Sequence, residues 1–146
     1  MNEIKKYIMM CNCKEIQRMH PILSRNVYGC TKCYVETWCH PSCCPECNCS
    51  IREDSANDGI SDERGHLWLP SQEQIQKILL GKYDIANLFV TFVDWAKGTL
   101  AGENGVVYKI SEFENFGSFR QLWLGFFMFD GFDKIWINND FSWQSL

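Results

Sequence analysis

The stretch Gly29–Ser50, GCTKCYVETWCHPSCCPECNCS, holds seven cysteines and one histidine within 22 residues. It contains two C-x-x-C pairs, Cys30 with Cys33 and Cys44 with Cys47, and ten residues separate the pairs. A C-x-x-C turn places two sulfurs on the same side of a tight loop, where both can reach one zinc ion at about 2.3 Å. Two such turns that face each other complete the tetrahedral site of a zinc ribbon. The spacing therefore predicts a zinc ion bound by these four cysteines.

Cysteines outside these pairs, together with one histidine, indicate a second zinc site. We expect the first two cysteines of the chain to join two members of a later group, and the candidates are Cys11, Cys13, His40, Cys43 and Cys49. A rival partition places the first four cysteines around one ion and the CHPSCCPECNC cluster around another. Sulfur-rich zinc sites are closed and contribute folding energy, so we expect one or two structural zinc ions.

The cysteine content also indicates the compartment. Nine cysteines is an odd number, so a full set of disulfides would leave one cysteine over. The opening MNEIKKYIMM has too few apolar residues for a signal-peptide core, and no stretch approaches the about 18 apolar residues of a membrane span. We therefore expect a soluble cytosolic protein, with no membrane association, in a compartment that keeps thiols reduced.

Charge is distributed unevenly along the chain, whose net charge is −4. Residues 1–50 carry six basic and four acidic side chains, whereas residues 51–146 carry eight basic and fourteen acidic ones. Because the neutralisation of phosphates supplies most of the affinity of non-specific nucleic-acid binding, this acidity disfavours a nucleic-acid partner. The hydrophobic fraction of 46% and the aromatic fraction of 14% are ample for a folded core.

Composition divides the chain into three parts. Residues 1–51 form a cysteine-rich zinc-binding module, residues 52–65 (REDSANDGISDERG) a polar linker, and residues 66–146 a helical, aromatic-rich domain. We expect an α+β fold in which a zinc-ribbon-like module precedes a small, mainly helical domain with a short C-terminal hairpin.

Three amphipathic helices are predicted in the C-terminal domain. Ser71 and Ser118 each begin a capping-box pattern, and Asp84 is the expected N-cap of a helix that ends before Gly98. Apolar residues follow Asp84 at helical spacing, and they are Ile85, Leu88, Phe89, Phe92, Val93 and Ala96. The alternation in KIWINNDFSW predicts the hairpin.

Aromatic side chains surround the axis of the third predicted helix, FRQLWLGFFM. A Phe- and Trp-rich helix face packs against other helices, which would place most of these side chains in a core. A second aromatic face on the same helix would remain for a protein partner. The residues predicted to bind that partner are Trp123, Phe127 and Phe129.

Two stretches, WLPSQEQIQ (Trp68–Gln76) and FRQLWLGFFM (Phe119–Met128), resemble small uncharacterised proteins from bacteriophages and prophages of low-GC Gram-positive bacteria. In those proteins a W-L-P-x-Q-x-x-[IL]-Q helix start precedes an aromatic-rich helix and a Q-L-W-L segment. The likeness covers residues 66–137 approximately. It implies an origin in a mobile genetic element, and hence the cytosol of a bacterial host, and it assigns no functional residue.

The sequence contains no nucleophile-elbow, P-loop, metalloprotease or deaminase motif. We therefore predict a binding protein and not an enzyme: a zinc-stabilised protein-interaction protein of phage type that inhibits or modulates a host defence or regulatory protein. The alternative is a zinc-ribbon regulator that binds nucleic acid, with Tyr28, Tyr34 and Trp38 as candidates for stacking on bases.

Overall fold

The computed structural model describes residues 1–20, 26–37, 46, 66–98, 100–101, 107–108 and 115–146, and only the backbone at positions 66, 100, 101, 107 and 108. These residues form two compact units, Met1–Ser71 and Gln72–Leu146. The mixture of helices and small antiparallel sheets confirms the predicted α+β class. The described elements are α1 (Glu3–Cys11), α2 (Lys14–Gln17), β1 (Val27–Cys30), β2 (Glu36–Thr37), β3 (His66–Leu69), α3 (Gln72–Leu79), α4 (Ile85–Ala96), β4 (Leu100–Ala101), β5 (Val107–Tyr108), α5 (Phe119–Phe132), β6 (Lys134–Ile137) and β7 (Ser142–Ser145).

The first unit contains a three-stranded antiparallel sheet in the order β2-β1-β3, with α1 packed against it. The closest approach of helix and sheet is at Gly29 in β1. A Cβ atom at this position would lie 2.5 Å from Cγ1 of Ile8 and 3.0 Å from Cδ1 of Leu69. Such distances are too short for real side chains, so glycine is required for α1 to lie this close to the sheet.

Two side chains attach α1 and α2 to β3. The amide of Gln17 donates to the carbonyl oxygens of Cys11 (2.8 Å) and Trp68 (3.0 Å), and its own oxygen accepts from the backbone N–H of Trp68 at 3.0 Å. The hydroxyl of Tyr7 donates to the carbonyl oxygen of Pro70 at 2.5 Å. These bonds satisfy buried or half-buried backbone groups that would otherwise lose their hydrogen bonds on folding.

The boundary between the units differs from the predicted domain boundary. The sequence placed residues 66–71 at the start of the helical domain, whereas in the structure β3 pairs with β1 and the first unit extends to Ser71. The physical reason is that three consecutive apolar side chains of β3, Leu67, Trp68 and Leu69, are buried in the first unit. The predicted linker 52–65 lies outside the described residues.

The helix boundaries in the second unit follow the local signals in the sequence. A carboxylate oxygen of Asp84 accepts from the backbone N–H groups of Ala86 (3.1 Å) and Asn87 (3.0 Å), and these bonds lower the pKa of Asp84. Gly98, just beyond α4, has a φ of 71°, which glycine adopts without steric cost. The predicted N-cap of α4 and its predicted end are therefore confirmed.

The start of α5 and the C-terminal hairpin are confirmed as well. The hydroxyl of Ser118 accepts from the backbone N–H of Gln121 at 3.3 Å. Strands β6 and β7 pair in antiparallel register, with Trp136 opposite Trp143. Their rings meet edge to face with centroids 5.2 Å apart, an arrangement that stabilises cross-strand pairs.

One carboxylate ties the turn after α3 to the C-terminal part of α5. Asp130 accepts a hydrogen bond from the Tyr83 hydroxyl at 2.5 Å, and its other oxygen lies 2.8 Å from Nζ of Lys82. The hydrogen bonds to Asp130 raise the pKa of both Tyr83 and Lys82. The contact fixes the chain where it turns from α3 toward α4.

Two glycines of α5 allow a test of how tightly its helix packs. A Cβ at Gly125 would lie 2.6 Å from Cζ of Phe116 and 3.1 Å from Cη2 of Trp95, whereas a Cβ at Gly131 would meet nothing within 4 Å. We expect Gly125→Ala to lower the free energy of unfolding by about 1–3 kcal/mol through overpacking. The control Gly131→Ala should leave it unchanged or raise it by up to about 1 kcal/mol, because alanine favours helix.

Urea denaturation followed by tryptophan fluorescence measures both variants. Equal stability of the two variants would contradict the close packing at Gly125.

Candidate metal site and protein-binding surface

Cys30 and Cys33 form the described half of the predicted zinc site. Cys30 is the last residue of β1 and is fully buried, and Cys33 packs against it. The backbone N–H of Tyr34 donates to the carbonyl oxygen of Cys30 at 2.9 Å, and the N–H of Cys30 donates to that of Val35 at 3.0 Å. These two bonds close the turn between β1 and β2. The structure therefore places Cys33 next to Cys30, and the binding of zinc by this pair stays a prediction.

Tyr34, directly after the second cysteine, has a left-handed backbone conformation with a φ of 57°. This conformation costs an L-residue other than glycine about 1–2 kcal/mol. The ammonium of Lys5 lies 4.7 Å from the centroid of the Tyr34 ring, a cation–π contact that offsets part of this cost. Strained residues of this kind persist where the surrounding structure holds them, and they are frequent at functional sites.

Cys11 and Cys13, predicted ligands of a second ion, are both buried in the first unit. Asn12 between them has a φ of −79° and a ψ of 61°, and the N–H of Cys13 donates to the carbonyl oxygen of Cys11 at 2.9 Å. This is an inverse γ-turn. The sulfur of Cys13 lies 3.8 Å from the carbonyl oxygen of Met10, a distance at which a protonated thiol donates weakly.

The two described cysteine pairs do not meet at one ion. Among the described side chains, no group of three or more His, Cys, Asp or Glu residues is arranged to hold a metal ion. The choice between the two predicted ligand partitions stays a prediction. The other predicted ligands lie outside the described residues, and they are His40, Cys43, Cys44, Cys47 and Cys49.

The side chains predicted to bind a protein partner are largely internal. Trp123 and Phe127 are only 4% and 6% exposed, and Phe129 is half-buried. The Trp123 ring stacks on Phe92 of α4 with centroids 3.8 Å apart, and Phe129 lies against Trp95. The predicted binding face on α5 is therefore corrected: Trp123 and Phe129 pack against α4, and Phe127 is buried as well, so these rings form core instead of surface.

Apolar surface is found on α4 instead. Ile85, Phe89 and Val90 are 75%, 63% and 61% exposed, and we call these three residues the apolar face of α4. The sequence assigned Ile85 and Phe89 to a single stripe facing the core. In the structure only Leu88, Phe92 and Ala96 of α4 are buried, and Phe92 packs against Trp123 and Phe126 of α5.

The sequence contained a signal for this outcome. Helix α4, IANLFVTFVDWA, has apolar side chains on more of its circumference than one neighbouring helix can cover. Val90 lies outside the stripe of i, i+3 and i+4 spacing and is the clearest excess. Ile85 and Phe89, at i and i+4, are neighbours on the helix surface, and Val90 follows Phe89 in the sequence. Exposed apolar residues that lie together mark interaction sites more often than scattered ones do.

Comparisons of the chain with models of protein families, with curated proteins and with solved structures gave no match. None of the helices in the described parts of the chain combines the length and apolar character needed to cross a bilayer.

The conformation of Tyr34 yields a test of the C-x-x-C turn. Tyr34→Gly and Tyr34→Ala both remove the ring and its contact with Lys5, and they differ only in the cost of the left-handed backbone. We expect the glycine variant to be more stable than the alanine variant by about 1 kcal/mol. The midpoints of urea denaturation measure the difference, and an alanine variant as stable as the glycine variant would show that the turn is built differently.

Proposed function

We propose that this protein acts by binding another protein through the apolar face of α4, and that zinc held by Cys30, Cys33, Cys44 and Cys47 stabilises its first unit. The exposure of Ile85, Phe89 and Val90 supports the first part of the proposal. The turn that joins Cys30 to Cys33 supports the second part. In this function the zinc is structural, and neither the sequence motifs nor the described sites supply catalytic groups.

The apolar face of α4 is suited to be the centre of an interface. Burial of a Val, Ile or Phe side chain gives about 1.5–3 kcal/mol relative to exposure, so these three side chains supply several kcal/mol before the costs of association. A typical stable interface buries roughly 800 Å² on each partner. The face therefore forms the anchor, and polar residues around it form the rim.

Charge around the face indicates the chemistry of the partner. The second unit, residues 72–146, has nine acidic and six basic side chains, and both Asp84, the N-cap of α4, and Asp94 within α4 are exposed. We infer a partner with an apolar groove or helix bordered by basic side chains. Proteins that bind nucleic acid have such basic surfaces, which fits an inhibitor or modulator of a host defence or regulatory protein.

Cysteine chemistry and the resemblance to phage proteins both support a location in the cytosol of a bacterial host. Zinc ligation requires reduced thiolates, which the bacterial cytosol provides. A phage or prophage protein in that compartment meets the host proteins that it would modulate.

The described residues of the first unit do not favour the nucleic-acid alternative. Tyr28 is only 8% exposed, and its hydroxyl lies 2.9 Å from Nε2 of His20. The ring of Tyr34 is in contact with Lys5. Two of the three candidate stacking residues are therefore engaged within the unit.

The substitution Phe89→Asp tests the binding proposal. Phe119, at the start of α5, is 63% exposed like Phe89, so Phe119→Asp is a control of the same chemistry and exposure in the same unit. Each variant and the wild type would be used as bait in host-cell lysate, and affinity for each captured protein, once purified, would be measured by calorimetry. We expect Phe89→Asp to weaken binding at least about tenfold, a loss of about 1.4 kcal/mol, and Phe119→Asp to leave it unchanged.

Two outcomes would contradict this proposal. Equal capture by wild type and Phe89→Asp would show that the apolar face does not contact the partner. A wild-type dimer that Phe89→Asp converts to a monomer, measured by sedimentation, would show that a second copy of this chain covers the face.

A further inference from the structure

We propose that Cys30 and Cys33 form a redox pair that exchanges with small disulfides, in which Cys33 reacts first and Cys30 completes the bond. This inference goes beyond the proposed function and does not depend on a bound metal. Two features of the turn between β1 and β2 support it: one cysteine packs on the other, and the two differ in their access to solvent.

The turn holds the two cysteines close enough to be joined. Cys33 packs against Cys30, and both carry thiols in this structure. The N–H of Tyr34 donates to the carbonyl oxygen of Cys30 at 2.9 Å and closes the turn. Residues three apart in a closed turn have Cα atoms less than about 7 Å apart, and within this limit a disulfide forms without backbone movement.

Unequal access to solvent gives the two cysteines different roles. Cys30 is fully buried, whereas Cys33 is partly exposed. Exchange begins when a protein thiolate reaches a sulfur of the incoming disulfide, so its rate depends on access. Cys33 can therefore meet a dissolved disulfide, and Cys30 then meets Cys33.

Positive charge near the turn indicates the chemistry of the co-reactant. Lys32, between the two cysteines, is exposed. Lys5 is exposed as well, and its ammonium lies 4.7 Å from the centroid of the Tyr34 ring, directly after Cys33. Because such cations attract anions, the favoured co-reactant is a small disulfide with net negative charge, of which oxidised glutathione is an example.

The reaction consists of two successive exchanges. The thiolate of Cys33 attacks one sulfur of the small disulfide, whose S–S bond breaks and releases one small thiolate. The sulfur of Cys30 then attacks that of Cys33, forms the bond between them and releases the second small thiolate. The protons of both cysteine thiols pass through water to the released thiolates. The protein pair is oxidised by two electrons, and the small disulfide is reduced to two thiols.

Oxidation would also change what the pair offers to a metal. Zinc ligation requires thiolates, which a disulfide does not supply. The reduced pair can contribute to the proposed zinc site, and the oxidised pair cannot.

The test uses the full-length wild-type protein, both as purified and after treatment with a chelator, so that a bound metal does not decide the outcome. Each sample is equilibrated with mixtures of oxidised and reduced glutathione, and the remaining thiols are alkylated. Trypsin and a glutamate-specific protease together release Cys30 in peptide 26–32 and Cys33 in peptide 33–36. Mass spectrometry detects these two peptides joined by a disulfide.

We expect native protein to form the joined peptides at an at least about tenfold lower ratio of oxidised to reduced glutathione than urea-denatured protein, because the turn holds the pair together. Brief alkylation of the reduced native protein should label Cys33 at least about tenfold faster than Cys30, because access controls thiol reactivity. In the variant Cys30→Ser, glutathione should remain attached to Cys33, whereas the matched variant Cys33→Ser should leave Cys30 unmodified.

Three outcomes would overturn this inference: no joined peptides in either wild-type sample, equal formation in native and denatured protein, or faster labelling of Cys30 than of Cys33. The two wild-type measurements do not require that either variant folds. A wild-type protein without zinc would overturn the zinc part of the proposed function and leave the redox pair standing.

Discussion

The antiparallel pairing of β1 with β3 joins residues 27–30 to residues 66–69 and closes the segment 31–65, which contains six of the nine cysteines, into a loop. Closure of a loop of about 35 residues costs about 3 kcal/mol in chain entropy, before any constant term. Burial of Leu67, Trp68 and Leu69 offsets this cost. A zinc ion bound between the start of the loop and a later cysteine would reduce it further, because it shortens the free segment. The fold of the first unit therefore depends on one strand pair between residues that are distant in the sequence.

The second unit depends on a different interaction, the packing of aromatic rings between α4 and α5. Stacking of Phe92 on Trp123 anchors the contact, and the edge of Phe126 packs on both rings. This arrangement buries Trp123 and Phe126 of α5, whereas Ile85, Phe89 and Val90 of α4 stay exposed. The same packing thus produces both the core and the candidate binding surface. The aromatic residues of α5 that were predicted to form a surface lie in the core, and apolar residues of α4 that were predicted to face the core are exposed.

Local signals in the sequence were sufficient to predict several helix ends and the hairpin of the second unit. The caps at Asp84 and Ser118, the stop at Gly98 and the C-terminal hairpin depend on residues within a few positions of each other, so they could be predicted. Which side of a helix is buried depends on the elements that pack against it, and local sequence patterns do not identify those elements. For that reason Trp123 and Phe127 were assigned to a surface and Phe89 to the core.

The pairing of β1 with β3 in the first unit joins residues that are far apart in the sequence, so local patterns could not predict it. The C-x-x-C turn at Cys30 is local and was predicted, whereas the neighbour of Cys30 across the sheet comes from beyond the whole cysteine-rich segment. No spacing rule connects Cys30 to His66, so only the strand register relates them. Helix α1 begins with a local signal of the same kind, since Asn2 caps the N–H of Ile4 at 2.8 Å just before an apolar stripe.

The side chain of Gln17 has a consequence beyond the packing of α2. At Trp68 its amide bonds both the N–H and the C=O of β3, which is at the edge of the sheet among the described strands, as the backbone of a further strand would. An open strand edge is a template on which another chain can add itself, and such additions lead to aggregation. One glutamine therefore ends the growth of the sheet at this position and helps to keep separate copies of the chain from joining edge to edge.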